Sequence, residues 1–300
     1  MESQVSGLLS MDELENHTES VQYWLYPYIQ KKGVVIIGAE PKSFKTFFVL
    51  QMMMAISTHN DFLGHHTSLR HDGKLPKVLY IDQEIGAAAF RKRYLPMKAV
   101  YGKPNMLVRV KSKESLLLDP GDAGRTRLEK LIAEQRPDIV VFDSFRKTTR
   151  RPENSSEEMM HVLWELTQLQ EEYDFTAVFV HHASKPSDDR KKCDPMSLRG
   201  SGEIFAHVDM GAILCRPNSD RKTHIDAHWF FRNEEDGEPL KMEFDRSSGL
   251  FIPRKPKEKE TPKEPAASDS KKVVEMPTKP PADVSVGDGI LRDKEDDKWG

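Results

Sequence analysis

The chain has 300 residues, a formal net charge of -3, 37% hydrophobic and 31% charged side chains. That is enough apolar material for one large domain or two small ones, and it excludes a globally basic nucleic-acid coat, so any DNA surface has to be a local patch. Cys193 and Cys215 are expected to make no metal or disulfide framework and fit a reducing cytosol; the start MESQVSGLLSMDELENH is no signal peptide, and no apolar run approaches the roughly 20 residues of a membrane span, so a soluble cytoplasmic protein without a membrane partner is expected.

Residues 1–32 read as a lead-in segment, with Ser10 capping a short helix and the aromatic cluster Trp24-Leu25-Tyr26-Pro27-Tyr28 packing on the main domain. Short apolar runs then alternate with helical patterns. VVIIG (34–38) predicts a strand and FFVLQMMMAIS (47–57) a buried helix. KVLYID (77–82) predicts a strand, followed by a helix through AAAFRKRYL. DIVVFD (138–143) predicts another strand and SEEMMHVLWELTQLQEEY (156–173) a helix; AVFVHH (177–182) and DMGAILCR (209–216) are further strands. Such an order gives an α/β fold, a mainly parallel sheet covered by helices on both faces. HIDAHWFF and LKMEFD flank Glu235-Asp236-Gly237 as a C-terminal β-hairpin. From 253 to 300 the chain is rich in Lys, Glu and Pro and predicts a disordered charged tail, whose Trp299 could meet a partner. The ordered domain is therefore expected over 33–252.

The stretch Gly38-Ala39-Glu40-Pro41-Lys42-Ser43-Phe44-Lys45-Thr46 sits between a strand and a helix and ends in Lys-Thr, as a phosphate-binding loop does. Where that motif carries its two glycines, this chain has Ala39 and Phe44. The loop works through backbone N–H groups at a helix N-terminus, one ammonium and one hydroxyl, so these replacements threaten geometry more than chemistry. Lys42, Ser43, Phe44, Lys45 and Thr46 are the candidate nucleotide-binding residues. Lys45 would reach the terminal phosphates and Thr46 would hold Mg²⁺. Nucleotide hydrolysis also needs an acid that organises the metal and a base that positions water. Asp143 closes DIVVFD and suits the first role through water; Glu84, just past KVLYID, suits the second, with Asp82 as its rival. His181 and His182 end a third apolar strand and face the same crevice.

Taken in order, PKSFKT, YIDQE, IVVFDS, VHHASK, LRGSGEI and FFRNEEDG resemble the RecA-type P-loop ATPases of the RepA-like plasmid and phage replicative helicase family (AAA family ATPases), and more distantly the motor core of hexameric replicative helicases. The resemblance spans Trp24 to Pro253; VHHASK followed by RGSG is its more specific part, while YIDQE and IVVFDS are common across the superfamily. It implies a RecA-like fold, ATP and Mg²⁺ as ligands, Lys45 and Thr46 as the phosphate-loop pair, Glu84 as the catalytic glutamate, Asp143 as the Mg²⁺ acid and His182 as the γ-phosphate sensor. Arg199 and Arg232 match positions from which such rings send an arginine into the neighbouring subunit's site. Loops with an aromatic before the lysine are tolerated in this group, which favours a working site.

In this fold the segments after the Asp strand and after the sensor strand line the ring's centre. Here they are FRKTTRRPENSS and ASKPSDDRKKCDPMSLR, both basic and expected to be mobile. Arg146, Lys147, Arg150 and Arg151, with Lys185, Arg190, Lys191 and Lys192, are the candidate contacts to single-stranded DNA. The expected function is a DNA-dependent ATPase in DNA replication, a homo-oligomeric and by expectation hexameric ring helicase on single-stranded DNA; the alternative is a recombination or helicase-loading ATPase that uses ATP as an assembly switch without unwinding. A binding module with a dead nucleotide site is disfavoured by the intact Lys45, Glu84, Asp143 and His182. A replication or recombination protein is the expected partner of the tail.

Overall fold

Runs of four to six consecutive apolar residues bury both faces of a strand, and that is what they do here. The computed structural model describes residues 9–18, 20–183, 193–194, 197–198, 202–217 and 221–254. Strands β1 (Tyr23–Leu25) and β2 (Ile29–Gln30) form a separate ribbon. Strands β3 (Val34–Ala39), β4 (Val78–Asp82), β6 (Ile139–Asp143), β7 (Thr176–His182) and β8 (Met210–Cys215) are buried almost throughout. With β5 (Met106–Arg109), β9 (His224–Phe231), β10 (Leu240–Asp245) and β11 (Leu250–Pro253) they make one nine-stranded sheet, ordered β11-β10-β9-β8-β3-β7-β6-β4-β5. From β8 through β3, β7, β6 and β4 to β5 neighbours run parallel, and from β8 to β11 they run antiparallel. The RecA-like mainly parallel sheet with a C-terminal hairpin is thus present, and the hairpin gains a third strand, β11.

The period-two alternation of each strand sorts its residues between two cores. Val35, Ile37 and Ala39 of β3 face α2 (Lys45–Thr58) and α3 (Ala87–Tyr101). Val34 and Ile36 face α4 (Ala123–Gln135), α5 (Ser156–Tyr173) and α6 (Gly202–His207). Helix α2 is buried nearly all round, because β9–β11 fold over the side that would otherwise meet water. Its one central polar residue, Gln51, is satisfied like a strand partner: Nε2 donates to the Phe251 carbonyl at 3.0 Å and Oε1 accepts from the Phe251 N–H at 2.6 Å. The lead-in packs down as expected, with Trp24, Leu25 and Ile29 in the core and Trp24 Nε1 donating to Thr176 Oγ1 at 3.1 Å. The short helix α1 (Met11–Glu15) carries the expected Ser10 cap as part of a capping box.

Two expectations are corrected. Cys193 and Cys215 are joined in a disulfide with Cα atoms 5.7 Å apart. The isolated bridge Ala183↔Leu198 pairs the chain on either side of Cys193 just past β7, and this places Cys193 within reach of the last residue of β8. The segment 145–156 is braced rather than mobile. It opens with a 3-10 turn, Phe145–Lys147, and Thr148 and Thr149 are buried. The Asp119 carboxylate accepts from Thr149 Oγ1 and, at 2.8 Å, from the Arg150 N–H. Lys185, Arg190, Lys191, Lys192 and Arg199 lie outside the described residues, as does the chain from 255 onward with Trp299.

Candidate nucleotide site

The loop's two missing glycines have different physical answers. Ala39 is still strand, in register with His182 on β7 and Leu214 on β8, so a Cβ is accommodated there without a turn. The close approach occurs one residue earlier: a Cβ on Gly38 would run into the side chains of Leu198 and Ile213. Phe44 does take the left-handed backbone, φ 61° and ψ 17°, and so does Lys42 at φ 65°. That costs an L-residue roughly 1–2 kcal/mol. The Phe44 ring stacks on Phe244 of β10 at 4.1 Å and 20°, and meets Phe47 edge-on. Such pairs contribute roughly 0.5–1.5 kcal/mol each beyond burial, which offsets the strain. Arg216, just after β8, donates through Nη2 to the Lys42 carbonyl and fixes the loop from the other side. Helix α2 then starts at Lys45 with no side-chain cap and no acid in its first turn, leaving its first N–H groups for an anion.

Parallel pairing brings the chemistry to one edge. Asp82 lies opposite Asp143, and Ala39 opposite His182, at the carboxyl ends of neighbouring strands. Lys45 is 8% exposed, and its Nζ lies 3.4 Å from His182 Nδ1. His182 Nε2 is 4.0 Å from Glu84 Oε1. His182 therefore bridges the ammonium and the carboxylate. Glu84 is half-exposed and held: Ser144 Oγ donates to its Oε1 at 2.5 Å. Asp82, the rival, is turned inward and accepts the Glu84 and Ile85 N–H groups on Oδ1, both at 3.0 Å. It shapes the turn that presents Glu84. Gln83 laces the same turn to the next loop, donating to the Lys147 carbonyl and accepting from the Leu116 N–H.

Burial dominates the electrostatics. It pushes Lys45 below the ordinary lysine range, while Glu84 and Asp143 pull it back up and Arg93 lowers it again. Asp143 is raised to about 6, first by burial, with the charges of Glu84 and Asp82 adding and the Tyr80 hydroxyl opposing. Tyr80 donates to Asp143 Oδ2 at 2.9 Å. The Thr46 hydroxyl also approaches Asp143 and favours its charged form, but it falls short of a hydrogen bond, and Asp143 Oδ1 accepts none. Asp82 Oδ2 is likewise without a donor. Two buried carboxylate oxygens without donors, beside a hydroxyl, fit a hard divalent cation such as Mg²⁺.

The other candidates lie apart from this cluster. Arg232 directly follows β9, whose last residue, Phe231, lies opposite Met210 at the start of β8, so Arg232 is at the far end of the sheet from its own phosphate loop. There it contacts the Asp209 carboxylate at 3.5 Å and donates to the Ala206 carbonyl at 2.5 Å. Arg150 pairs with Asp122 at 2.9 Å, and Arg151 with Glu158. Arg146 and Lys147 are exposed and, among the described residues, have no acidic partner within ion-pair distance. Arg93, Ser144, Tyr80 and Arg216 join the site without belonging to any motif read from the sequence. Only Ser144 carries a signal, its place directly after the Asp143 strand.

Residues 2–188 match an AAA domain. The chain belongs to this AAA-domain family. Among solved structures, an ATPase domain from the DnaB-like replicative helicase group superposes with a TM-score of 0.55 at 16% identity, covering 82% of this chain and 96% of that one. A DnaB-like replicative helicase, described with its interactions with primase, superposes with a TM-score of 0.56 at 16% identity, covering 81% of this chain and 64% of that one. The AAA domain described here thus has the RecA-type fold of DnaB-like helicase ATPase domains. No curated protein matches it. No helix among the described residues is long and apolar enough to cross a membrane.

Proposed function

We propose that this AAA-domain chain is a DNA-dependent ATPase of the replicative-helicase type, working as a homo-oligomeric ring, hexameric by analogy, on single-stranded DNA. The observation that carries the reading is the convergence of Lys45, His182, Glu84 and Asp143 on one edge of the sheet, at the mouth of an open helix N-terminus.

Each residue has a role that follows from its setting. The N–H groups of the loop and of the first turn of α2 take the β- and γ-phosphates of ATP. Lys45, kept dry enough for its charge to count, neutralises the transferring phosphoryl group. Mg²⁺, when bound, would supply Lewis-acid stabilisation of phosphate charge, and Thr46 and Asp143 would hold it, Asp143 through water. Glu84, aligned by Ser144, positions the attacking water. His182 touches both the ammonium and the water-positioning acid, so loss of the γ-phosphate alters its contacts and reports to the segment that begins at Ala183. Arg199 or Arg232 of an adjacent subunit would add charge across the interface, which agrees with the distance of Arg232 from its own loop. Arg146 and Lys147 remain available to the DNA backbone, with Arg190, Lys191 and Lys192 as the second patch.

Phosphate release measured with and without single-stranded DNA tests the core of this reading, and stimulation by DNA is expected. No ATP turnover under either condition would sink it. Displacement of a labelled strand then separates a motor from an ATPase that uses nucleotide as an assembly switch. Mixing Lys45→Ala protein with Arg199→Ala or Arg232→Ala protein tests the shared site. Partial recovery of activity is expected, and a dead mixture of co-assembling proteins removes the trans arginine.

A further inference from the structure

Away from the nucleotide cluster, two neighbouring strands and one residue outside them put three soft donors together. In an antiparallel pair, residues two apart on neighbouring strands share a face. Ile213 lies opposite His228 and Cys215 opposite Asp226, so Cys215 and His228 are diagonal neighbours on that face. Cys193, between the two ends of the Ala183↔Leu198 bridge, reaches the same place. One donor atom from each of Cys193, Cys215 and His228 lies within 4.8 Å of the others, and all three residues are half-buried. Asp226, on the same face, is engaged by Arg254.

We propose that the reduced chain binds a divalent transition metal of the zinc class through Cys193, Cys215 and His228. In tetrahedral sites the ion lies about 2.3 Å from sulfur and about 2.0–2.1 Å from nitrogen, so donors within 4.8 Å of one another close on it with small side-chain shifts. Two thiolates and an imidazole select zinc over magnesium or calcium, which prefer oxygen. A water completes the coordination on the solvent side. The disulfide and the metal site are alternative states of the same two sulfurs. Reduction by a thiol reductant breaks the S–S bond, delivers two electrons and two protons to give two thiols, and converts the reductant to its own disulfide. The ion then displaces both thiol protons and forms two metal–sulfur bonds, while His228 contributes a nitrogen lone pair. The position gives the ion leverage. Leu214, next to Cys215, is in register with Ala39 at the start of the phosphate loop, and Arg216, on the other side, holds the Lys42 carbonyl.

Cobalt(II) titration of phosphine-reduced, metal-stripped full-length protein tests this, followed by displacement with zinc. The expected result is a single equivalent with thiolate-to-cobalt charge-transfer absorption and the d–d bands of a tetrahedral ion. Cys193→Ala and Cys215→Ser each abolish the charge-transfer band. His228→Gln weakens binding by roughly tenfold or more, since even groups that only support a ligand are worth about 10–100-fold. Disulfide-oxidised protein binds none. Circular dichroism and binding of a fluorescent ATP analogue show that the variants remain folded; Cys193, outside the strands, is the variant least exposed to misfolding. No charge-transfer band in reduced wild-type protein, or an unchanged band in the cysteine variants, overturns the site.

Discussion

The two halves of the sheet do different work. On the parallel side, β3, β7, β6 and β4 end together and deliver a lysine, a histidine and three acids to one edge. On the antiparallel side, β9 to β11 deliver aromatic rings and backbone groups: Phe244 stacks on Phe44, Phe251 brackets Gln51, and Trp229 packs near Phe48. Parallel strands connected by crossovers all point the same way, so their carboxyl ends gather loops at one place. Antiparallel strands alternate direction and cannot do so, but they extend the sheet over α2. One half carries the chemistry, and the other holds the shape of the loop on which the chemistry depends.

The largest effect should come from the reacting edge. Lys45→Ala is expected to lower ATP turnover by about 10²-fold or more with little change in thermal stability, since the ammonium is partly desolvated and its loss leaves no cavity of size. Turnover lost on Lys42→Ala but kept on Lys45→Ala would shift the register of the loop. Glu84→Gln should retain ATP binding while hydrolysis falls by about 10²-fold or more. Ser144→Ala should give a milder loss in the same direction, because the carboxylate survives but swings free. Normal hydrolysis in Glu84→Gln with a dead Asp82→Asn would move the water-positioning role to Asp82, against its inward orientation.

Asp143→Asn probes the edge through pH. The folded-state value is raised from 3.8 to about 6, so between these limits the native state holds a proton that the unfolded chain has lost. Stability from this group is present at low pH and declines as pH rises to about 6. Above pH 6 the metal-free variant should therefore be more stable than wild type by on the order of 2–3 kcal/mol, with the difference vanishing near pH 4. Denaturant unfolding across pH checks this. A variant less stable than wild type at pH 7.5 would show that Asp143 is held charged by its neighbours rather than destabilised by burial.

The smallest effect belongs to the buttress. Phe44→Ala keeps the left-handed strain but loses the stack, and is expected to cost about 1–2 kcal/mol. Phe44→Gly should cost less, because glycine adopts that backbone freely. Equal losses in the two would mean that the backbone there is unstrained.

Much of this was legible. The five buried parallel strands announce themselves by unbroken apolar runs, and α5 by its period, because burial on two faces or along one stripe leaves little compositional freedom. Edge β5 was not, since its side chains are half-exposed and MLVR is too short to carry a pattern. Helix α4 was missed for a related reason: only Gly124, Leu128 and Ile132 of its thirteen residues are buried. In the site, Lys45, Thr46, Glu84, Asp143 and His182 each sit at the end of a recognisable element. Arg93, Tyr80 and Arg216 act from the middle of a helix, the middle of a strand and a loop, and only the register of the sheet shows that they point to the same place. The stacking partners Phe44 and Phe244 lie two hundred residues apart in sequence, so no local pattern joins them.

That stack makes the nucleotide loop and the last hairpin thermodynamically linked. If the hairpin favours the loop shape that accepts phosphate, then phosphate must favour the ordered hairpin by the same free energy. Bound nucleotide should therefore slow amide exchange in β10 and β11, strands that touch no phosphate. Anything that grips or loosens the chain just beyond Pro253 gains, through the same reciprocity, a handle on ATP affinity.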